Sequence, residues 1–227
     1  GNVNAYATST RYSGGTVAID GGLAGARDVN HENNTQGINT GLLPAWLSVS
    51  GKTRQNDLDI GVQFTFFTGT SSGTNAAGAT NSLNIHQAFL TFGDASWGTI
   101  KAGRDLGVFG SDAILSDMTL LGVGSNGGAT GSSTLGRIGS GYLYADWLAQ
   151  FQYQTPNWNG FQASVAVTEP VADTSTSNLG YQGTASYSFA ANDVTGKVWV
   201  SGITQEHNLG STATNYRTTG FDIGAKA

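Results

Sequence analysis

The segment DLDIGVQFTFF, residues 57–67, decides the fold class of this chain. Every second residue is apolar, which places these side chains on one face: Leu58, Ile60, Val62, Phe64 and Phe66. The residues between them are mostly polar and fall on the other face. A repeat of two residues is that of a β-strand, whereas a helix would repeat every 3.6 residues. The segment also has about the 9–11 residues that a tilted strand needs to cross a bilayer.

The same alternation recurs along the chain and predicts about ten strands. They are expected at Val3–Tyr12, Leu42–Lys52, Asp57–Phe67, Leu83–Phe92, Thr99–Arg104, Tyr142–Tyr153, Gly160–Thr168, Leu179–Ala190, Val194–Thr204 and Tyr216–Lys226. Tight turns are expected at Thr53–Asn56, Gly93–Asp94, Pro156–Asn159 and Ala191–Asp193, and they alternate with longer loops rich in Gly, Ser, Asn and Thr. Short turns on one side and long loops on the other indicate an all-β fold, an antiparallel up-and-down transmembrane β-barrel.

Composition narrows the function classes. Charged residues are 11% of the 227 residues, far below the roughly 25% of soluble domains. A net charge of −5 argues against nucleic acid as a partner, because such binding needs clustered Lys and Arg. With no Cys, the chain has neither disulfides nor a thiolate metal site. No nucleophile, base and carboxylate stand together in a recognisable pattern, so the chain is not expected to be an enzyme.

The longest insertion is predicted to run from Asp105 to Ser140. A loop of that length in a compact domain is usually functional. Within Ser111–Leu121, apolar residues at 114, 115, 118 and 121 have helical spacing, and Ser111 is a candidate N-cap. The insertion is therefore expected to contain one short helix that packs against another part of the protein.

The residues around this insertion resemble those of the Gram-negative general porins. Residues 98–104, GTIKAGR, match the family's strand that leads into its long loop, and Asp112-Ala113 with Ser116-Asp117-Met118 match the loop motif. Residues 135–139, LGRIG, match the return from the loop. Residues 153–161 resemble a later hairpin of the family. The resemblance covers most of the chain from about Leu42 onward.

That resemblance implies a sixteen-stranded barrel in the bacterial outer membrane, assembled as a homotrimer, with its third loop folded into the lumen. Residues 1–227 would form one barrel domain without its C-terminal strands, since about ten are predicted and Ala227 is not the aromatic residue with which the family usually ends. Residues 105–140 would be the constriction loop. Outer-membrane lipid, lipopolysaccharide and small hydrophilic solutes would be the partners.

The resemblance also implies a set of constriction residues. Asp117 matches the loop carboxylate of the family, and Arg137 matches a basic residue of the facing wall. His86 and Trp46 fall where the family has wall Arg residues, so one basic position is lost at Trp46. The set is completed by three further charged residues of the loop and its flanking strand, Asp112, Arg104 and Lys101.

Several of these residues have simpler interpretations. Asp112 could serve only as a favourable charge at a helix N-terminus. Arg104 shares the parity of Ile100 and Ala102, so it could leave the strand at the rim or hold the loop by an ion pair. His86, on the face of Asn84 and Ala88 that we assign to the lumen, could be a hydrogen-bonded wall residue. No cofactor is expected: three His and no Cys disfavour a transition metal. The loop carboxylates could hold Ca²⁺, but they lack the spacing of a dedicated Ca²⁺ loop.

The function predicted from these features is passive diffusion of small hydrophilic solutes and ions. The excess of acidic over basic residues favours a mild cation preference. Two alternatives stay open. The barrel could be a plugged surface structure or adhesin that does not conduct. The chain could instead be a soluble secreted β-sandwich or lectin whose apolar faces pack on each other.

Overall fold

The computed structural model describes residues 1–11, 34–41, 43–68, 83–118, 120–122, 146–171, 178–207 and 215–227. These residues form eleven strands and one short helix. The strands are β1 (Tyr6–Arg11), β2 (Asn34–Asn39), β3 (Ala45–Gln55), β4 (Leu58–Thr68), β5 (Asn84–Asp94), β6 (Gly98–Leu106), β7 (Trp147–Gln154), β8 (Phe161–Thr168), β9 (Gly180–Ala191), β10 (Val194–His207) and β11 (Tyr216–Lys226). The helix is α1 (Ser111–Leu115).

Nine of these strands form one sheet in the order β11-β10-β9-β8-β7-β6-β5-β4-β3. Each strand of the sheet pairs with its neighbour along the chain, as in a meander of hairpins. The pairs from β5–β6 to β10–β11 are antiparallel. Strands β1 and β2 form a separate antiparallel pair. The predicted antiparallel, up-and-down all-β architecture is confirmed.

The chain forms two compact units. One comprises Gly1–Ser48, Thr65–Ile85 and Asp117–Leu143, and the other comprises Val49–Phe64, His86–Ser116 and Tyr144–Ala227. We call them unit 1 and unit 2. Unit 1 contains β1 and β2, whereas unit 2 contains α1 and strands β6 to β11 in full.

Unit 1 is held together by hydrogen bonds that involve its N-terminal residues. The Asn4 amide nitrogen donates to the Leu43 carbonyl over 3.0 Å, and the Asn4 side-chain oxygen accepts from the Gly41 N–H over 2.8 Å. Two backbone bonds of 2.8 Å join Asn2 to Trp46. These contacts give hydrogen-bond partners to the backbone groups of Asn2, Gly41, Leu43 and Trp46.

One face of the sheet in unit 2 is apolar and exposed. Strand register places three rows of side chains on it: Ile100, Tyr153 and Val165; Ala163, Ala185, Val200 and Ile223; and Phe161, Tyr187 and Val198. Exposed fractions reach 70% at Phe151 and 86% at Ile223. An apolar surface of this extent on a soluble protein would be unusual, because large exposed apolar patches mark contact with a partner or a membrane.

The other face of the same strands is polar. One row runs directly across six strands and consists of Thr99, Gln154, Ser164, Thr184, Ser201 and Asp222. Its members alternate along each strand with the apolar rows, as the period of two requires. The alternation predicted for Gly160–Thr168 is therefore confirmed, with Phe161, Ala163 and Val165 on the apolar face and Gln162 and Ser164 on the polar one.

The turn between β3 and β4 consists of Asn56 and Asp57. Both residues have positive φ, 49° and 63°, which is the backbone of the two-residue hairpin turns that match strand twist. Asn and Asp tolerate this conformation better than other residues with a Cβ atom. The prediction of a turn over Thr53–Asn56 is therefore correct only at its last residue. Strand β3 continues to Gln55, and the turn is formed by Asn56 and Asp57.

Two other predicted strand and turn boundaries need correction. The segment Asn34–Asn39, predicted as part of a polar loop, is strand β2, which its pairing with β1 stabilises despite a single large apolar residue, Ile38. Gly93 and Asp94 end β5, and the turn follows them, closed by a bond of 3.2 Å from the Trp97 N–H to the Asp94 carbonyl.

Helix α1 is also shorter than predicted. It ends at Leu115, and its N-cap is Gly110 with φ of 70°, not Ser111. The Ser111 hydroxyl instead donates to the Val108 carbonyl over 2.9 Å. Within the described ranges, no helix has the length and apolar character needed to cross a membrane.

Gly103 is a position within β6 where any side chain would clash with the neighbouring strand. Its φ of 129° lies outside the range that residues with a Cβ atom adopt, and an added Cβ would approach the Ala88 carbonyl oxygen to 2.3 Å. We expect Gly103→Ala to destabilise the folded chain by about 2 kcal/mol or more. Urea unfolding of the detergent- or vesicle-folded protein measures this loss.

Gly202→Ala is the matched control for that variant. Gly202 also lies within a strand, but its added Cβ would meet its nearest atom at an ordinary distance of 3.7 Å, and its φ is not positive. Equal stability of the two variants would contradict the strain assigned to Gly103.

Candidate functional site

The residues that follow β6 pack against the polar face of unit 2. The Phe109 N–H donates to the Gln182 side-chain oxygen on β9 over 2.8 Å, and the Gly110 N–H donates to the Ser201 hydroxyl on β10 over 3.3 Å. Phe109 also packs in a small buried cluster with Leu148, Val171 and Ile203. The first part of the predicted long loop is therefore fixed to the strands by both polar and apolar contacts.

An ion pair attaches α1 to the same face. The Asp112 carboxylate, in the first turn of the helix, contacts the Lys197 ammonium on β10. Their side chains are 19% and 26% exposed, so water screens the pair only in part. Both proposed roles of Asp112 are compatible with this position, because a charge in the first turn also interacts well with the helix N-terminus.

A second ion pair lies where β6 ends. The Lys101 ammonium contacts the Asp105 carboxylate, which also accepts a hydrogen bond of 2.8 Å from the Gln87 amide. The Gln150 amide donates to the carbonyls of Asp105 and Leu106, each over 3.0 Å. Together these bonds fix the direction in which the chain leaves the strand.

Between these two ion pairs lies a cavity of about 340 Å³. All of its lining residues belong to unit 2. The charged ones are Lys101, Asp105, Asp112 and Lys197, and uncharged polar side chains of β7, β8 and β9 supply much of the remaining wall. Helix α1 contributes Ser111 and Leu115. The arrangement is a water-accessible space between an anchored loop segment and a polar strand face.

The predicted constriction residues are only partly brought together. Lys101 and Asp112 both line the cavity. Asp117 follows α1 but belongs to unit 1, where its carbonyl accepts a bond of 3.2 Å from the Leu120 N–H. Trp46 is also in unit 1. It lies on the same face of β3 as Ser48, and Leu47 lies on the other face of that strand. Arg137 lies outside the described residues.

The strand register places His86 and Arg104 on the apolar face of the sheet and not on the polar face. Arg104 lies opposite Ala88, on the face of Leu90, and pairs with Glu169 at 3.3 Å. His86 has the same parity as Ala88, and its ring meets that of Trp147 edge-on at 5.2 Å. The assignment of the His86 face to the lumen is thus corrected: Gln87, not His86, lines the cavity, and it donates a hydrogen bond to Asp105. Apolar residues occur on both faces of β5, so polarity alone did not distinguish them.

Lys197 and Asp105 are the charged cavity residues that the motif comparison did not single out. A signal for Lys197 was present, because it alternates with Val198 and Val200 and therefore falls on the polar face of β10. Nothing in the sequence paired it with Asp112. In the part of the chain that the structure describes, no group of three His, Asp or Glu side chains is arranged to hold a metal ion.

Comparison with known proteins identifies the family. A family model described as Gram-negative porin matches residues 3–227. Among solved structures, the chain is similar to the anion-selective porin from Comamonas acidovorans, with 15% identity, 88% of this chain and 68% of that chain covered, and a TM-score of 0.45. A search of curated proteins found no match. Because the family model spans nearly the whole chain, the chain belongs to the Gram-negative porin family, whose members are β-barrel channels of the bacterial outer membrane.

Proposed function

We propose that this porin lets small hydrophilic solutes and ions diffuse passively through its lumen, and that the segment after β6, at the start of the predicted loop 105–140, narrows the passage. The observation that carries the proposal is the attachment of the segment after β6 to the polar face by Asp112–Lys197 and by the bonds to Gln182 and Ser201. A segment held there reduces the free cross-section, while the cavity beside it leaves room for water and solutes.

The two faces of the sheet also suggest what surrounds the barrel. The exposed apolar rows would face lipid, and lipopolysaccharide would surround the ends with the long loops. We propose a homotrimer as the assembly. No cofactor is needed for diffusion, and the ion pairs of Asp105 and Asp112 with lysines leave these carboxylates poorly placed to hold Ca²⁺. The proposal is that of a channel and not of an enzyme.

Planar-bilayer recording tests this function. The folded protein is expected to insert from detergent and to produce discrete, ohmic current steps that occur in threes if the trimer is present. The same protein denatured before addition is the control and should give no steps. Stable insertion without current would instead favour the plugged barrel, and recovery as a detergent-free soluble monomer would favour the β-sandwich.

A further inference from the structure

We propose that the cavity beside α1 is a saturable binding site for neutral polyhydroxylated solutes, such as free sugars or sugar alcohols. This inference rests on the proposed function, since it names the class of solute that the passage retains in transit. It goes beyond passive diffusion because a bound solute saturates its site, whereas a freely diffusing one does not.

The first support is a set of polar side chains with unused hydrogen-bonding capacity. Gln152, Gln154, Ser164 and Ser186 all line the cavity. None of these four side chains hydrogen-bonds to another described residue, although their backbones are paired within the sheet. Each amide or hydroxyl offers both a donor and an acceptor, which is what the hydroxyl groups of a sugar require.

The arrangement of these groups also suits a solute with several hydroxyls. Gln154 and Ser164 are direct cross-strand partners, and Ser164 is opposite Thr184. Neighbouring strands are about 4.8 Å apart, so successive polar groups of the row are separated by roughly that distance. A ring or chain that carries hydroxyls on adjacent carbons can contact two or three strands at once.

The charges of the cavity disfavour ionic solutes as the bound species. The two lysines are already engaged by carboxylates, Lys101 by Asp105 and Lys197 by Asp112. These four charges sum to zero, and a solute ion would have to compete with a neighbouring charge already in contact. A neutral solute with hydroxyls can use the open amides and hydroxyls without breaking either pair.

The cavity also has an apolar component and a suitable size. Leu115 of α1 lines it and is 65% exposed. Sugar rings present C–H groups as well as hydroxyls, so a wall with both kinds of surface is complementary to them. The volume of about 340 Å³ lies within the range of small-molecule sites, roughly 300–1,000 Å³.

Sugar-dependent block of the single-channel current tests the proposal. Glucose, and in parallel sucrose, is added in rising concentration to wild-type channels in a planar bilayer. We expect the current to fall along a saturating curve for at least one of the two sugars. In Gln154→Leu and Ser186→Val channels the half-saturating concentration should rise by about five- to tenfold, since each variant removes hydrogen bonds to the solute.

Ser188→Val is the matched control. Ser188 lies two residues from Ser186 on the same face of β9, but it does not line the cavity. The half-saturating sugar concentration of the Ser188→Val channel should therefore stay within about twofold of wild type. A linear fall of current with both sugars, equal in all variants, would overturn the binding site while leaving the conducting channel intact. Absence of wild-type current would overturn the channel itself, so the two failures are distinguishable.

Discussion

Channels with Lys197→Met are expected to become more cation-selective than wild type. The substitution removes the ammonium that contacts Asp112 and leaves that carboxylate without its partner at the cavity wall. A unit charge a few ångströms from a passing ion contributes about 1 kcal/mol in a water-like dielectric, or roughly fivefold in relative permeability. Screening reduces this, so we expect a shift of about two- to fivefold at low salt and less at high salt.

Reversal potentials in a KCl gradient measure that shift. The wild-type value also tests the mild cation preference predicted from the net charge of −5, which an anion-selective potential would contradict. Asp112→Asn should move selectivity toward anions, because it leaves the Lys197 charge uncompensated. The double variant should return close to wild type, since it removes both charges.

The pair of single variants also separates electrostatics from loop anchoring. If the variants acted only by removing the ion pair that anchors the loop, the reversal potential would shift in the same direction in both. A charge effect shifts the reversal potential in opposite directions in the two variants. The backbone bonds to Gln182 and Ser201 still hold the segment in either variant. Unchanged reversal potentials in both would mean that these side chains do not face the path of the ions.

Val200→Arg is expected to destabilise the folded protein by about 2–4 kcal/mol in a bilayer. Val200 lies in the middle of β10, between Ala185 and Ile223 on the apolar face, and is half exposed. If that face contacts hydrocarbon, the substitution places a guanidinium near the centre of the membrane, which costs about this amount in barrels. The free energy of unfolding is measured from the urea dependence of folding into vesicles, with the folded fraction monitored by electrophoretic mobility.

Thr184→Arg is the matched control for Val200→Arg. Thr184 lies one row away, opposite Ser201, at nearly the same depth but on the polar face. An arginine there would extend into water, so we expect a loss of under about 1 kcal/mol. The reverse order of stabilities would show that the polar face, and not the apolar one, contacts lipid.

The positions of most strands could be predicted from the sequence because alternation is a local property. The runs that contain Phe161 to Val167 and Val194 to Thr204 fold as expected, since one face is clearly apolar. Prediction failed where this signal was absent. Strand β2 has almost no apolar residues and depends on its pairing with β1. In β5, apolar residues on both faces led to the wrong face for His86.

The candidate site was less predictable than the fold. Motif comparison found Lys101 and Asp112, which do line the cavity, but it also selected Arg104, which pairs with Glu169 on the other face. It could not select Lys197, because a porin motif around the loop contains no information about a strand that begins at Val194. Strand register and loop conformation together determine which charges meet.

The sequence alone therefore determined that this chain is an antiparallel sheet with one apolar and one polar face, and its motifs indicated the family. A repeat of two residues is sufficient for the two faces, because successive side chains of any strand point to opposite sides, and the short turns between strands indicate the antiparallel order. Only the tertiary structure decided which polar groups form the cavity. Asp112 and Lys197 are 85 residues apart in the chain, and they meet because the segment after β6 packs across the strands to β10.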